Sequence, residues 1–260
     1  EGCALSDLVA AIDAAVADGV DVINYSIGSD TPSLLNPDGV AFLFAADMGV
    51  FVSVSNGNAG PGAGTTGSPA SVPWVTAVGA NTHSRTFQNT LTLGSSATFF
   101  GASVTPGVGP AKLVDAADAG SELCLGGQLD PAAVSGAIVL CKRGTNARVE
   151  KSAAVDQAGG IGMVLYNAVS PQDVDTDNHL VPSTHVDLED GLEIKDYIDS
   201  AGSGATATLS AGSATGQPAP DMAAFSSRGP NGAAGDVIKP DVTAPGVVVL
   251  AGASPTPLLG

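Results

Sequence analysis

Residues 50–80 read VFVSVSNGNAGPGAGTTGSPASVPWVTAVGA, and the run Asn56-Gly57-Asn58-Ala59-Gly60-Pro61 closely follows the apolar segment Val50–Val54. An apolar run that stops at a cluster of Asn, Gly and Pro reads as a core strand ending in a functional loop. A second short run, Trp74–Val78, follows. Glycines let backbone approach a ligand, and an amide projecting from such a loop can donate to a developing oxyanion. Asn58 is the candidate donor. Composition alone offers a competing reading, a turn asparagine bonded to its own loop.

Working outward, the preceding residues alternate helix and strand. Ser6 is a cap candidate for a helix whose positions Leu8, Val9, Ile12, Ala15 and Val16 share a face, with Gly19 as its stop. Val20–Ile27 is a strand, and its near-continuous apolarity suits a parallel strand covered on both faces. Asn36-Pro37 opens a second helix with Val40, Leu43 and Phe44 as its expected buried stripe. Strand, helix and strand with short connections predict an α/β parallel sheet. Ligands bind such sheets outside the carboxyl ends of the strands. Ser26–Gly28 and Asn56–Gly60 both fall there.

Composition narrows the function classes. With 260 residues and 44% apolar content, the chain is long enough to bury a core. Nine basic against 26 acidic residues give a formal charge of −17, a poor surface for nucleic acid. No apolar run reaches the roughly 20 residues of a membrane span, so no membrane partner is expected. Cys124 and Cys141 flank a Gly- and Pro-containing segment and suit a local disulfide, worth roughly 3 kcal/mol. The competing reading is small buried apolar side chains.

From Thr82 the pattern changes. Arg85–Leu93 and Thr98–Val104 read as a hairpin around Gly94-Ser95-Ser96, and Pro106–Pro110 as a linker-like break. Strands are expected at Ala137–Leu140, Gly162–Tyr166, Val181–Val186 and Thr206–Ser210, with helices over Asn146–Ala158 and Leu188–Ser200. Asp173, Asp175 and Asp177 lack the glycine and closing glutamate of a calcium loop and read as a solvated loop. His179 and His185 read as loop and strand residues. No metal site and no cofactor is expected. Gln217–Pro220 reads as a boundary, after which Arg228 suggests an ion pair with Asp221 or Asp236. Val247–Leu250 is a final expected strand.

Three stretches carry a family resemblance. Gly57-Asn58-Ala59-Gly60-Pro61, with Gly67-Ser68-Pro69-Ala70 and Val75–Ala80, is similar to the oxyanion-asparagine segment of subtilisin-like serine proteases. Asn24-Tyr25-Ser26-Ile27-Gly28 resembles their substrate-binding edge strand. Phe225-Ser226-Ser227-Arg228-Gly229-Pro230, with Lys239–Gly246, resembles the segment before the nucleophile in the secreted, multidomain branch. Residues 82–217 resemble the protease-associated (PA) domain inserted in that branch. The resemblance therefore implies a partial subtilisin-like α/β core over residues 1–81 and 218–260, interrupted by a mainly β PA insertion at 82–217.

The same resemblance implies roles. Asn58 would stabilise the oxyanion during serine-protease acyl transfer. Ser26, Ile27 and Gly28 would pair with an extended protein or peptide substrate. Gly57 and Gly67 would form a wall and the floor of the primary specificity pocket, leaving room for a bulky apolar residue before the scissile bond. Cys3 would pair with a cysteine upstream, and the protein would be secreted and extracellular. None of the family's Asp-Ser/Thr-Gly, His-Gly-Thr-His or Gly-Thr-Ser-Met-Ala triad strings occurs in residues 1–260. The expectation is thus an internal, inactive piece whose partners are the missing N- and C-terminal parts of its own protease domain, with the PA domain as a lid or docking surface. The rival is a non-catalytic protein- or peptide-binding module, whose peptide affinity would not depend on Asn58.

Overall fold

The computed structural model describes residues 3–249. In chain order the elements begin α1 (Leu5–Ala17), β1 (Val22–Tyr25), α2 (Pro37–Asp47), β2 (Phe51–Ser55) and β3 (Thr76–Asn81). They continue β4 (Arg85–Leu93), β5 (Thr98–Ala102), β6 (Val108–Asp115), α3 (Pro131–Val134), β7 (Ile138–Lys142) and α4 (Arg148–Gln157). The remainder are β8 (Gly162–Tyr166), β9 (Ser183–Val186), α5 (Leu188–Ala201), β10 (Thr206–Leu209), β11 (Ser213–Gly216) and β12 (Val242–Pro245). Contacts divide the described residues into two units, one of residues up to His83 plus Pro218–Val247 and the other spanning Ser84–Gln217.

The first unit is a four-stranded sheet in the order β1-β2-β3-β12, parallel throughout. Its core is Ile12 of α1, Phe42 and Ala45 of α2, and the inward residues Tyr25, Val52, Val54 and Ala77. Opposite residues of the same strands look outward: Val22 is 60% and Phe51 54% exposed. The expected two-sided cover of β1 is therefore absent among the described residues. Two further expectations are corrected. Ser6 lies inside α1, whose N-cap is Ala4 without a side-chain cap. The buried positions of α2 are Asp38, Gly39, Ala41, Phe42 and Ala45, while Leu43 and Phe44 are 41% and 65% exposed. Asp38 sets this rotation. It is buried because the Tyr25 hydroxyl donates to it at 3.1 Å and the Gly39 amide at 2.8 Å, and Phe42 then meets Tyr25 edge-on with ring centroids 5.0 Å apart.

In the second unit the sheet runs β10-β6-β7-β8-β9-β5-β4, and β4 pairs again with β10, closing a barrel; β11 extends β4. The strands β6 to β9 are parallel and the others antiparallel. The last three residues of the expected break at 106–110 instead begin β6. Gly109 and Pro110 are tolerated there because only the last three residues of β6 are buried and its pairing with β10 shifts register between Ala207 and Leu209. Cys124 and Cys141 are joined in a disulfide, and both side chains sit inside the core that also holds Val139, Val155 and Leu165. The expected final strand is not formed at residues 247–249, and Leu250 lies outside the described residues.

Asp173, Asp175 and Asp177 are not a solvated loop. Arg143 pairs with Asp175 at 3.2 Å, and Arg148 with Asp175 at 3.1 Å and Asp177 at 2.5 Å. His185 Nδ1 accepts from the Asp175 amide at 2.8 Å while Nε2 lies 2.9 Å from Asn167 Oδ1. The spacing of the carboxylates gave no sign of this, because Arg143 follows β7, Arg148 opens α4 and His185 lies in β9.

Candidate substrate-binding and oxyanion site

The loop after β2 is held by the segment 225–231. Ser227 is the hub: its amide donates to Gly57 O at 3.0 Å, its hydroxyl accepts from the Ala59 amide at 3.0 Å, and its carbonyl accepts from Asn56 Nδ2 at 2.6 Å. The Gly60 amide donates to Phe225 O at 2.9 Å and the Thr65 amide to Arg228 O at 2.8 Å. Gly57 has φ +106°, and a Cβ there would meet Ser227 Oγ at 2.7 Å, so only glycine fits. Asn56 is buried with its amide spent in both directions, since Oδ1 accepts from Thr66 Oγ1 at 3.2 Å. It supports the loop.

Asn58 is the opposite case. It is exposed at the loop tip, and its side chain makes no hydrogen bond among the described residues. The turn reading, in which Asn58 bonds its own loop, has no such bond behind it.

Next to Asn58 is a cavity of about 140 Å³ whose lining includes Ser26, Gly28, Gly57, Gly67 and Asp30. Ser29 and Ser68 exchange backbone hydrogen bonds of 2.9 and 3.0 Å, fixing the segment after β1 against the one containing Gly67. Five of the six candidate residues, Ser26, Gly28, Gly57, Asn58 and Gly67, thus meet at one cavity, and Ile27 lies in the same segment, 38% exposed. A Cβ at Gly67 would meet the Ser29 carbonyl and the Asp30 Cα, so only glycine fits there, and the cavity lining carries only Ser, Gly, Asn and Asp.

The residues that sequence reasoning undervalued are Asn56, Thr66 and Ser227, whose pairing spans up to 171 positions and leaves no local signal. Arg228 forms no ion pair among the described residues, and its Nε is buried without a partner there; its backbone does the holding. Lys239 is fully buried, donating to Val75 O and to Asp241 Oδ2, both at 2.7 Å, while that same carboxylate oxygen accepts from the Ala77 amide at 2.7 Å. Lys239 and Asp241 therefore pin β12 to β3. The described residues show no cluster of His, Cys, Asp or Glu able to hold a metal ion, and none of their helices is long and apolar enough to cross a membrane.

A parallel α/β sheet with a tethered Asn-Gly loop and a polar cavity at its carboxyl rim defines a ligand-binding site of the α/β kind. Family comparison gives the particular one: the subtilase family, Peptidase_S8, matches residues 1–258, and the chain belongs to it. Subtilisin-like protease SBT1.4 of Arabidopsis thaliana is 44% identical over 96% of this chain and 33% of its own length. SBT1.5 of the same plant is 42% identical over 96% of this chain and 35% of its own. The chain thus spans about a third of these relatives. Among solved structures, the psychrophilic subtilisin-like protease Apa1 from an Antarctic Pseudoalteromonas aligns with a TM-score of 0.36 and 19% identity, over 84% of this chain and 59% of that one.

Proposed function

We propose that this chain is part of a serine endopeptidase that hydrolyses peptide bonds in proteins, and that it supplies the oxyanion donor and the substrate-binding rim. The observation that carries this reading is Asn58, an exposed and unpartnered amide on a loop whose every other anchor is satisfied. A preorganised donor of this kind acts where charge develops, at the carbonyl oxygen of the tetrahedral intermediate. Ser26, Ile27 and Gly28 lie at the open edge of the sheet, beyond β1, where an extended peptide can add as a strand. The nucleophile, its histidine base and the aspartate come from parts of the protein outside residues 1–260, which pack on the outward face of the sheet around Val22 and Phe51. Residues 1–260 alone are inactive. Residues 82–217 are a PA insertion that controls substrate access, and the protein is secreted.

The test is Asn58→Ala in the full-length protein. Turnover falls by roughly 10²–10³-fold in kcat, the range known for removing one oxyanion donor from a related subtilisin, with KM little changed and fluorophosphonate labelling of the nucleophile retained. Peptide binding without hydrolysis, unaffected by the substitution, would instead make the chain a binding module.

A further inference from the structure

The cavity beside Asn58 carries one formal charge, and that charge has no partner. Asp30 lines the cavity, is exposed, and makes no hydrogen bond or ion pair among the described residues. No lysine or arginine occurs before Arg85, whereas residues 1–83 hold eight acidic residues. Nothing local in sequence neutralises Asp30. Two other polar side chains of the lining are committed to structure: Ser68 Oγ donates to Thr31 O at 3.0 Å, and the Asn56 amide is spent on Ser227 and Thr66. A substrate side chain entering this space meets glycine backbone along the walls and a carboxylate at the rim.

We infer that Asp30 is a specificity-determining residue that selects a basic side chain, arginine or lysine, immediately before the scissile bond. This rests on the protease reading above. An apolar side chain would cover the Asp30 carboxylate without compensating it and would set polar groups against a surface that cannot bond them. A cationic side chain lays its apolar stem along Gly28 and Gly57 and brings its charged head to Asp30, where the hydrogen bonds are charge-assisted. An acidic side chain would meet like charge and be rejected.

The experiment uses the full-length protein and three fluorogenic peptides that differ only in the residue before the scissile bond: Arg, Leu or Glu. The expected order of kcat/KM is Arg above Leu, with Glu last. Asp30→Asn, isosteric and at an exposed position, lowers kcat/KM for the Arg substrate by at least about tenfold more than for the Leu substrate, collapsing the Arg-to-Leu ratio. Raising the salt concentration narrows the Arg-to-Leu ratio of the native protein but not that of the variant. Hydrolysis with Leu preferred over Arg, or an Arg-to-Leu ratio unchanged in Asp30→Asn, would overturn the assignment of Asp30 while leaving the protease reading intact. No hydrolysis of any peptide, with no fluorophosphonate labelling, would overturn both.

Discussion

The two units bury their strands in opposite ways. In the second, β8 and β9 are buried at every position and β7 at four of five, because the sheet closes on itself and α4 and α5 cover it. In the first, β12 is exposed throughout and β1 is buried only at Tyr25. The barrel strands of one sheet pair on both sides, with only β11 left at an edge; the other sheet keeps two edges and a face open. The closed unit draws its stability from its own residues. The open one carries the candidate site.

The sharpest way to break this comparison is to separate the units. Residues 84–217 expressed alone are expected to unfold cooperatively, with a calorimetric enthalpy matching the van't Hoff value. The remaining segments, joined by a short linker, are expected to expose Val22, Phe44 and Phe51, to bind a hydrophobic dye and to associate. A cooperative, monomeric first unit would show that its open face costs little and that the contrast in burial does not govern stability.

A smaller effect is expected from the disulfide. Cys124 and Cys141 are 17 residues apart, and closing a loop of that size stabilises by about 3 kcal/mol through the unfolded chain. Cys124→Ser with Cys141→Ser should lower the stability of residues 84–217 by about that amount. It should leave hydrogen exchange in β1 to β3 unchanged, because the first unit contains neither cysteine. Slower exchange lost in both units at once would mean that they unfold as one body.

Legibility in the sequence followed the same divide between local and distant causes. β4, β5, β8 and β10, the helices α4 and α5, and the turn at Gly94-Ser95-Ser96 were readable from alternation, apolar runs and Gly/Ser punctuation, signals complete within a dozen residues. The closure of the barrel was not, since β4 and β10 meet across more than a hundred residues. The loop bearing Asn58 was legible as a loop, but its rigidity comes from Ser227, and nothing near Asn56 announces that partner. Polar residues misled where they are buried: Asp38 rotates α2 away from its apparent stripe, and Asp175 and Asp177 turn inward to two arginines. A pattern that sends charge to solvent fails wherever a partner of opposite charge waits inside.

The smallest expected effect probes that inward charge. Burial pushes the His185 imidazole down to about 3, with the Arg143 charge acting in the same sense. Its Nδ1 must stay unprotonated to accept from the Asp175 amide. The unfolded chain takes up the proton near pH 6.5, whereas the folded unit does not until about pH 3, so stability falls as pH falls through that window. From pH 6.5 to 5 the loss from His185 is about 2 kcal/mol, at 1.36 kcal/mol per unit. His179, also lowered by burial, adds in the same direction. Asp177 joins only at lower pH: burial raises its carboxyl, but the Arg148 hydrogen bond and charge outweigh that and hold it below the usual range. Burial raises Asp175, which acts in the opposite sense and offsets part of that loss as pH falls. Denaturant unfolding of residues 84–217 at pH 6.5 and 5 should show the loss, and His185→Gln should reduce the slope. An unchanged slope would mean that His185 is not the buried neutral acceptor holding the 167–180 loop, and that the closed unit owes its acid sensitivity to His179 instead.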